Sequence, residues 1–176
     1  MSLRLKVAAQ ISCYDDAWQG RQCRDLAAEV GDFVVKRADG VIAYQLACAV
    51  DEAAQRITEV VRGADLLGST FRQLSVQQAL GFASPAYRHL PVLNDARGRK
   101  LSKQNHAQPV TRAQASANLY SCLELLGQSP QAELRGAAVA ELLRWAVSHW
   151  DAAKIPRGAA FPPIMHCNKV AKPIDS

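Results

Sequence analysis

Lys100 and Lys103 flank Leu101-Ser102 within the stretch "DARGRKLSKQNH" of a 176-residue chain. A lysine is a compact ammonium on a long stem, and two of them in one flexible loop can converge on a single phosphate group. Fixed positive charge there would stabilise a leaving pyrophosphate as negative charge builds on it, and a loop that closes on ATP could deliver it. The spacing alone is weak evidence, because solvated loops produce Lys-x-x-Lys by chance. Its surroundings are basic: residues 86–112 hold Arg88, Arg97, Arg99, Lys100, Lys103 and Arg112 against Asp95 alone, whereas the charges elsewhere cancel within a net +5. Excess charge concentrated in this way attracts a polyanion; a solvated basic loop accounts for it equally well.

Other reactive residue types carry less. Asp15 and Asp16 are adjacent acids, but nothing nearby completes an acid–base constellation. Asp65, three residues after Arg62, reads as the start of a helix. His89 reads as an anchor for the strand entering the lysine loop, and His106, His149 and His166 receive no role. The five cysteines (Cys13, Cys23, Cys48, Cys122 and Cys167) form no CxxC pair, so neither a zinc knuckle nor a redox dithiol is signalled. Cys48 and Cys122 lie in apolar patterns and read as small core residues, with a reducing compartment as the consistent setting. No apolar run approaches the roughly 20 residues that cross a bilayer, and the first residues form no signal segment. No membrane partner is expected, and the expected setting is the cytoplasm.

The elements that must position these residues read unevenly. "LRLKVAA" suggests an edge strand and "RQCRDLAAEV" a helix ending at Gly31. "DFVVKR" and "VIAYQLACAV", separated by "ADG", read as two strands of a hairpin. "ITEVVRG" reads as a further strand. Thr70 and Gln73 have capping-box spacing for a helix that stops at Gly81, and "HLPVL" reads as a buried strand. Thr111 and Gln114 repeat the capping spacing, and Ala115, Leu119, Cys122 and Leu126 fall on one helical face before Gly127. Ser129 and Pro130 read as the start of a last helix bearing Leu134, Ala138, Leu142, Trp145 and His149. Residues 151–176, with four prolines, read as an extended or poorly ordered tail.

"KLSKQ", Lys100 to Gln104, resembles the second signature of class I aminoacyl-tRNA synthetases, the KMSKS motif. "VGDFVVKRADGVIAYQLACAVDEAAQRITEVVRGADLL" and "HLPVLNDARGRKLSKQNHA" resemble the corresponding stretches of the glutamyl branch of that class, covering Val30 to Ala107 and, more loosely, the helices to Trp150. Within the branch, Gln104-Asn105-His106 and the 70 residues that follow resemble the queuosine-modifying subfamily. The resemblance implies an α/β fold: the second half of a Rossmann-type catalytic domain over 1–110, a helical extension over 111–150, and the tail. It implies glutamate contacts at Tyr44 and Arg62. A guanidinium offers a planar donor fork to a carboxylate and a phenol adds a directional hydroxyl; the bland alternatives are a surface arginine and a core tyrosine. It implies ATP contacts at Lys100, Leu101, Ser102, Lys103 and Gln104, with Lys103 and Lys100 in the catalytic role.

The family's partners would then be glutamate, ATP with Mg2+, and tRNA(Asp) carrying queuosine. No HIGH-like sequence occurs, and Cys13 and Cys23 do not reproduce the spacing of the family's zinc element. The expectation is therefore the C-terminal half of such an enzyme, its zinc ligands outside this chain, inactive alone and either self-associating through an exposed half-sheet or pairing with a separate N-terminal piece. A fragment of an ordinary glutamyl-tRNA synthetase and a non-catalytic tRNA-binding paralogue are the rival readings.

Overall fold

"EVVRG" and "AYRHL" form adjacent parallel strands, as β-branched and aromatic residues favour. The computed structural model describes residues 1–95, 97–102 and 109–161, which fall into two compact units, 1–90 and 91–176. In the first unit β1 (Leu3–Leu5) pairs antiparallel with β4 (Phe33–Lys36). A four-stranded mixed sheet has the order β3-β2-β6-β5. Here β2 (Ile11–Asp16) and β3 (Gly20–Asp25) form a hairpin, and β5 (Glu59–Gly63) runs parallel to β6 (Ala86–Leu90) from Glu59↔Ala86 to Gly63↔Leu90. The hairpin meets β6 through one registered pair, Asp16↔Tyr87. Two helices complete the unit, α1 (Tyr44–Ala54) and α2 (Leu67–Leu80). Phe33, Val35, Ala49 and Val76 form its core, with Leu5, Val7, Val30 and Leu46 packed against them.

Several expectations need correction. The turn after "DFVVKR" does fold back, with Lys36 bridging Ile42 and Arg37 N–H donating to Val41 C=O at 2.8 Å. From Tyr44 onward, however, the chain is helix and not strand. Leu46, Ala47, Ala49, Ala53 and Ala54 are good helix formers, and Leu46 and Ala49 place one apolar face on the core. Thr70 is not an N-cap: α2 begins at Leu67 after a 3-10 turn over Ala64–Leu66, and Thr70 is buried on its inner face. The helix does stop at Gly81. β6 ends at Leu90 because Pro91 has no N–H for the ladder, and Val92 makes only an isolated bridge to Ala160.

Only the second half of "RQCRDLAAEV" is helical, a single π-helical turn, Leu26–Val30, capped by the Asp25 carboxylate on Ala28 N–H, whereas its first half belongs to β3. Cys13 lies opposite Cys23 across β2 and β3 with Cα atoms 4.2 Å apart, and the two are joined as a disulfide. The absence of a CxxC pair gave no sign of this cross-strand bond, which departs from the wholly reduced cysteines expected. β3 is almost wholly exposed, so little burial holds its end of the hairpin. Closing a loop of ten-residue separation stabilises by roughly 2–3 kcal/mol through the unfolded chain. The C13S/C23S double variant is expected to lose about that much in urea denaturation; an unchanged midpoint would show that the clip adds nothing.

The second unit contains α3 (Ala115–Leu125) and α4 (Val139–His149). Thr111 does precede the helix, capping a 3-10 turn over Arg112–Gln114, but its hydroxyl bonds the Gln114 Oε1 and no backbone N–H. The buried face of α3 carries Tyr120 and Leu123, not the expected row through Cys122, which is exposed. Those two residues pack on Leu142 and Ala146 of α4. The last helix starts at Val139, nine residues later than Ser129-Pro130 suggested. Gly136 adopts φ 88°, which a continuous right-handed helix does not accommodate, so 132–134 form only a 3-10 turn. Among the described residues no helix is long and apolar enough to cross a membrane.

Candidate functional site

Arg62 is the penultimate residue of β5 and stands beside His89 of β6 in the parallel ladder. Its Nε donates to His89 Nε2 at 3.0 Å, and Nη2 donates to Thr70 Oγ1 at 2.7 Å. Thr70 in turn donates to the Leu66 carbonyl at 3.2 Å, one helical turn back in α2. The Tyr87 ring lies 5.3 Å from the guanidinium carbon, within cation–π range. Both hydrogen-bond partners are neutral acceptors, and among the described residues no carboxylate accepts a hydrogen bond from Arg62. A guanidinium has five N–H donors, and these two bonds orient the group while using only two of them.

Behind His89 stands Asp16, at the end of β2. Both side chains are completely buried, with His89 Nδ1 and Asp16 Oδ2 2.5 Å apart. The other carboxylate oxygen, Oδ1, accepts from the backbone N–H of Trp18 at 3.0 Å, Gln19 at 2.9 Å and His89 at 3.2 Å. Burial alone would raise the Asp16 pKa, but the His89 ring and these backbone amides outweigh it and hold the carboxyl below its ordinary range. For His89, burial, joined by the Arg62 charge, lowers the pKa against the hydrogen bond and charge of Asp16, which favours the neutral ring. A neutral ring accepting from Arg62 at Nε2 carries its proton on Nδ1, which then donates to Asp16.

Both shifts act on stability in one direction. A histidine with a depressed folded pKa stabilises the fold above its unfolded value, about 6.5, and loses that contribution as pH falls below it. Asp16 adds a contribution present above about 3.9 and lost on further acidification. Stability is therefore expected to fall as pH drops below about 6.5, and His89→Gln should remove that upper limb from a pH series of urea midpoints. A flat profile between pH 7 and 5 would contradict the buried neutral ring.

Arg62 has a polar surround. Glu52 of α1 accepts from Gln77 at 3.4 Å, and Gln77 also donates to the Tyr87 hydroxyl at 3.2 Å. Burial raises the Glu52 pKa, opposed by the Arg62 charge, and pushes Tyr87 up to about 12. Tyr44, first residue of α1, is 53% exposed. Its hydrogen bond with Cys48 and partial burial raise its pKa, and Arg62 opposes them. The two residues expected to contact glutamate thus share the first unit, and the field of Arg62 reaches the phenol.

Lys100, Leu101 and Ser102 lie in the loop of the second unit, whereas Lys103 and Gln104 lie outside the described residues. Asp95 braces this loop. Its carboxylate accepts from the N–H groups of Arg97 and Arg99, both at 2.9 Å, and from the Arg99 side chain at 2.9 Å. The backbone bond from Arg99 leads the contacts that hold its pKa low. Of the six basic residues over 86–112, Arg99 is therefore paired with Asp95, and Arg88 with Glu59. Among the described residues no group of three His, Cys, Asp or Glu side chains could hold a metal ion. Cys13 and Cys23, bonded to each other, offer no thiolate, so the described residues do not fit a zinc site.

The sequence singles out Arg62 and Tyr44 through the family resemblance and His89 as a strand anchor; it gives no role to Asp16 and reads Thr70 as a cap, and the structure places both in contact with His89. Asp16 carried no signal for its partner 73 positions away.

The family model "tRNA synthetases class I (E and Q), catalytic domain" matches residues 1–141, including the first thirty residues, which the resemblance did not reach. The chain is 52% identical over 157 residues to the glutamyl-Q tRNA(Asp) synthetase of Methylococcus capsulatus, covering 89% of this chain and 52% of that protein. Against the protein of the same name from Pseudomonas aeruginosa PAO1 it is 47% identical over 161 residues, covering 92% and 55%. The chain thus spans about half the length of the curated relatives it matches. A crystal structure of a glutamate tRNA ligase from Elizabethkingia meningosepticum superposes with a TM-score of 0.62 at 22% identity, covering 86% of this chain and 34% of that one. The glutamate-tRNA synthetase of Elizabethkingia anophelis gives 0.63 at 23%, covering 89% and 35%. At these identities the structures show a shared fold.

Proposed function

The chain belongs to the class I (E and Q) tRNA synthetase catalytic-domain family, and from that premise we propose that it is part of a ligase acting on tRNA(Asp). This ligase activates glutamate with ATP and Mg2+, releases pyrophosphate, and transfers glutamate to queuosine in the anticodon. The names of relatives at 47–52% identity support the tRNA and the amino acid. The observation that carries the reading is Arg62: a guanidinium oriented by two neutral acceptors, with donors to spare, suits a ligand carboxylate. In this reading Arg62 and Tyr44 hold glutamate. Lys103 and Lys100 neutralise the ATP phosphates, with Leu101, Ser102 and Gln104 completing that loop. Residues 1–110 form the synthetase core, 111–150 a helical extension and 151–176 the tail, all in a cytoplasmic protein.

Calorimetric titration of the chain with L-glutamate and L-glutamine tests the amino-acid assignment. Binding is expected for glutamate with a clear preference over glutamine; equal affinity for both, or none for glutamate at about 10 mM, would overturn it. We further propose that these 176 residues, which contain no HIGH-like sequence, represent the later half of the enzyme and do not turn over alone. Glutamate-dependent ATP–pyrophosphate exchange by the purified chain would sink that claim. β5 lies at the edge of the four-stranded sheet with Val61 55% exposed, which supports self-association there. A monomer at all concentrations in size-exclusion chromatography would refute it.

A further inference from the structure

We propose that Asp16 and His89 form a tautomer lock that positions Arg62 for its carboxylate ligand. The inference rests on the reading of Arg62 as a glutamate-binding residue, and it assigns Asp16 and His89 as positioning residues that need not touch substrate.

Arg62 Nε can donate to His89 Nε2 only while that nitrogen carries a lone pair. An isolated neutral imidazole has two tautomers, and the one with a proton on Nε2 would set N–H against N–H at 3.0 Å. The Asp16 carboxylate removes the choice. Its Oδ2, 2.5 Å from Nδ1, has no proton to give, so the ring proton must sit on Nδ1. Three backbone N–H groups hold Oδ1 and fix the carboxylate's rotation. Thr70 contributes from the far side: its oxygen accepts from Arg62 while its own hydroxyl proton goes to Leu66 C=O. The result is a relay in which the buried charge on Asp16 sets the direction of the bonds from the His89 ring to the guanidinium, with the Thr70 oxygen, 3.3 Å from His89 Nε2, beside it. Its members come from β2, β6, β5 and α2, so the arrangement belongs to the tertiary fold and not to any local turn.

Asp16→Asn tests the relay with almost no change of shape. The three backbone N–H groups require an acceptor at the Oδ1 position, so the asparagine must place its NH2 against His89 Nδ1. That nitrogen then has to accept, the ring proton moves to Nε2, and the bond to Arg62 becomes a donor–donor conflict. Two readouts follow. Long-range 1H–15N correlation of the His89 ring is expected to show the Nδ1–H tautomer in the unmodified chain and Nε2–H in D16N, with a shift of the Arg62 Nε–H resonance. L-glutamate affinity in D16N is expected to fall by at least about tenfold, the loss typical of an ill-placed charged donor. A merely structural role for Asp16 would not move the tautomer.

The proposal is overturned if the unmodified chain carries Nε2–H, if D16N keeps Nδ1–H, or if the tautomer switches while the Arg62 resonance stays put. Should D16N fail to fold, the tautomer of the unmodified chain decides. Should the unmodified chain bind no glutamate, the amino-acid assignment fails, and the tautomer and the Arg62 resonance still judge the relay by themselves.

Discussion

Arg62→Ala is expected to weaken L-glutamate binding by roughly 100- to 1000-fold, the equivalent of about 3–4 kcal/mol for two charge-assisted bonds to one carboxylate. The substitution also takes the Arg62 donor from His89 Nε2, whose ring is fully buried, leaving only the Thr70 hydroxyl, 3.3 Å away, in reach. An unsatisfied buried acceptor costs about 1–3 kcal/mol, so the midpoint of urea unfolding should fall as well. Arg62→Lys separates the two effects. A lysine retains the charge but cannot reach His89, Thr70 and a ligand with one rigid fork, so its affinity should lie between those of the original chain and the alanine variant. Calorimetric titration of all three checks the order; an alanine variant that binds glutamate like the original would remove Arg62 from the site.

Gly127→Ala should be the most damaging single methyl in the second unit. Gly127 adopts φ 74° at the end of α3, and a Cβ placed there would meet the Lys154 carbonyl oxygen and carbon. The obstacle is backbone, held by neighbouring bonds. Gln128 donates to the Asp151 carbonyl at 3.0 Å, and Asp151 N–H donates back to the Gln128 amide oxygen at 2.8 Å. The left-handed conformation costs an alanine about 1 kcal/mol, and the overlap adds a further 1–3 kcal/mol typical of overpacking. A total of about 2–4 kcal/mol should appear as a lower urea midpoint for the second unit, with chemical-shift changes spreading from Asp151 to Ile155. Gly98, also at positive φ but with open space around its Cβ position, is the matched control, and its alanine variant should lose only the conformational part.

These two residues also show what the sequence could reveal. Gly127 was legible as a helix stop because chain-local chemistry sets that role, yet its closeness to Lys154 was not. "EVVRG" and "FVVK" were legible as strands because β-branched residues dominate them. "VIAYQLACAV" reads as strand because Val41, Ile42 and Tyr44 raise the β signal at its start, while the helix formers after Tyr44 decide the outcome, with Leu46 and Ala49 packed in the cluster of Val76. Thr70 matched a capping-box spacing, but the 3-10 turn over Ala64–Leu66 had already begun the helix and freed its hydroxyl to meet Arg62. Arg62 and Tyr44 stood out only through resemblance to a family. Asp16 and His89 each look unremarkable, and no periodicity or spacing connects positions 16 and 89; the sheet order does.

That long connection bears on how the unit is assembled. Cys13 and Cys23 close a ten-residue loop, and a hairpin of this size forms on a timescale of microseconds. The bond from His89 to Asp16 spans 73 residues, and its loop-closure cost, which grows with the logarithm of length, comes due before any contact rewards it. The hairpin meets β6 through one registered pair, the Ala17 N–H bond to the Tyr87 carbonyl and the Tyr14–Tyr87 ring contact, all of which await the same long closure. Contacts of this separation slow folding and belong to its late events. Arg62 can meet His89 and Thr70 earlier, across 27 and 8 residues, whereas the Asp16 contact that holds the His89 ring waits for the closure of β2 on β6.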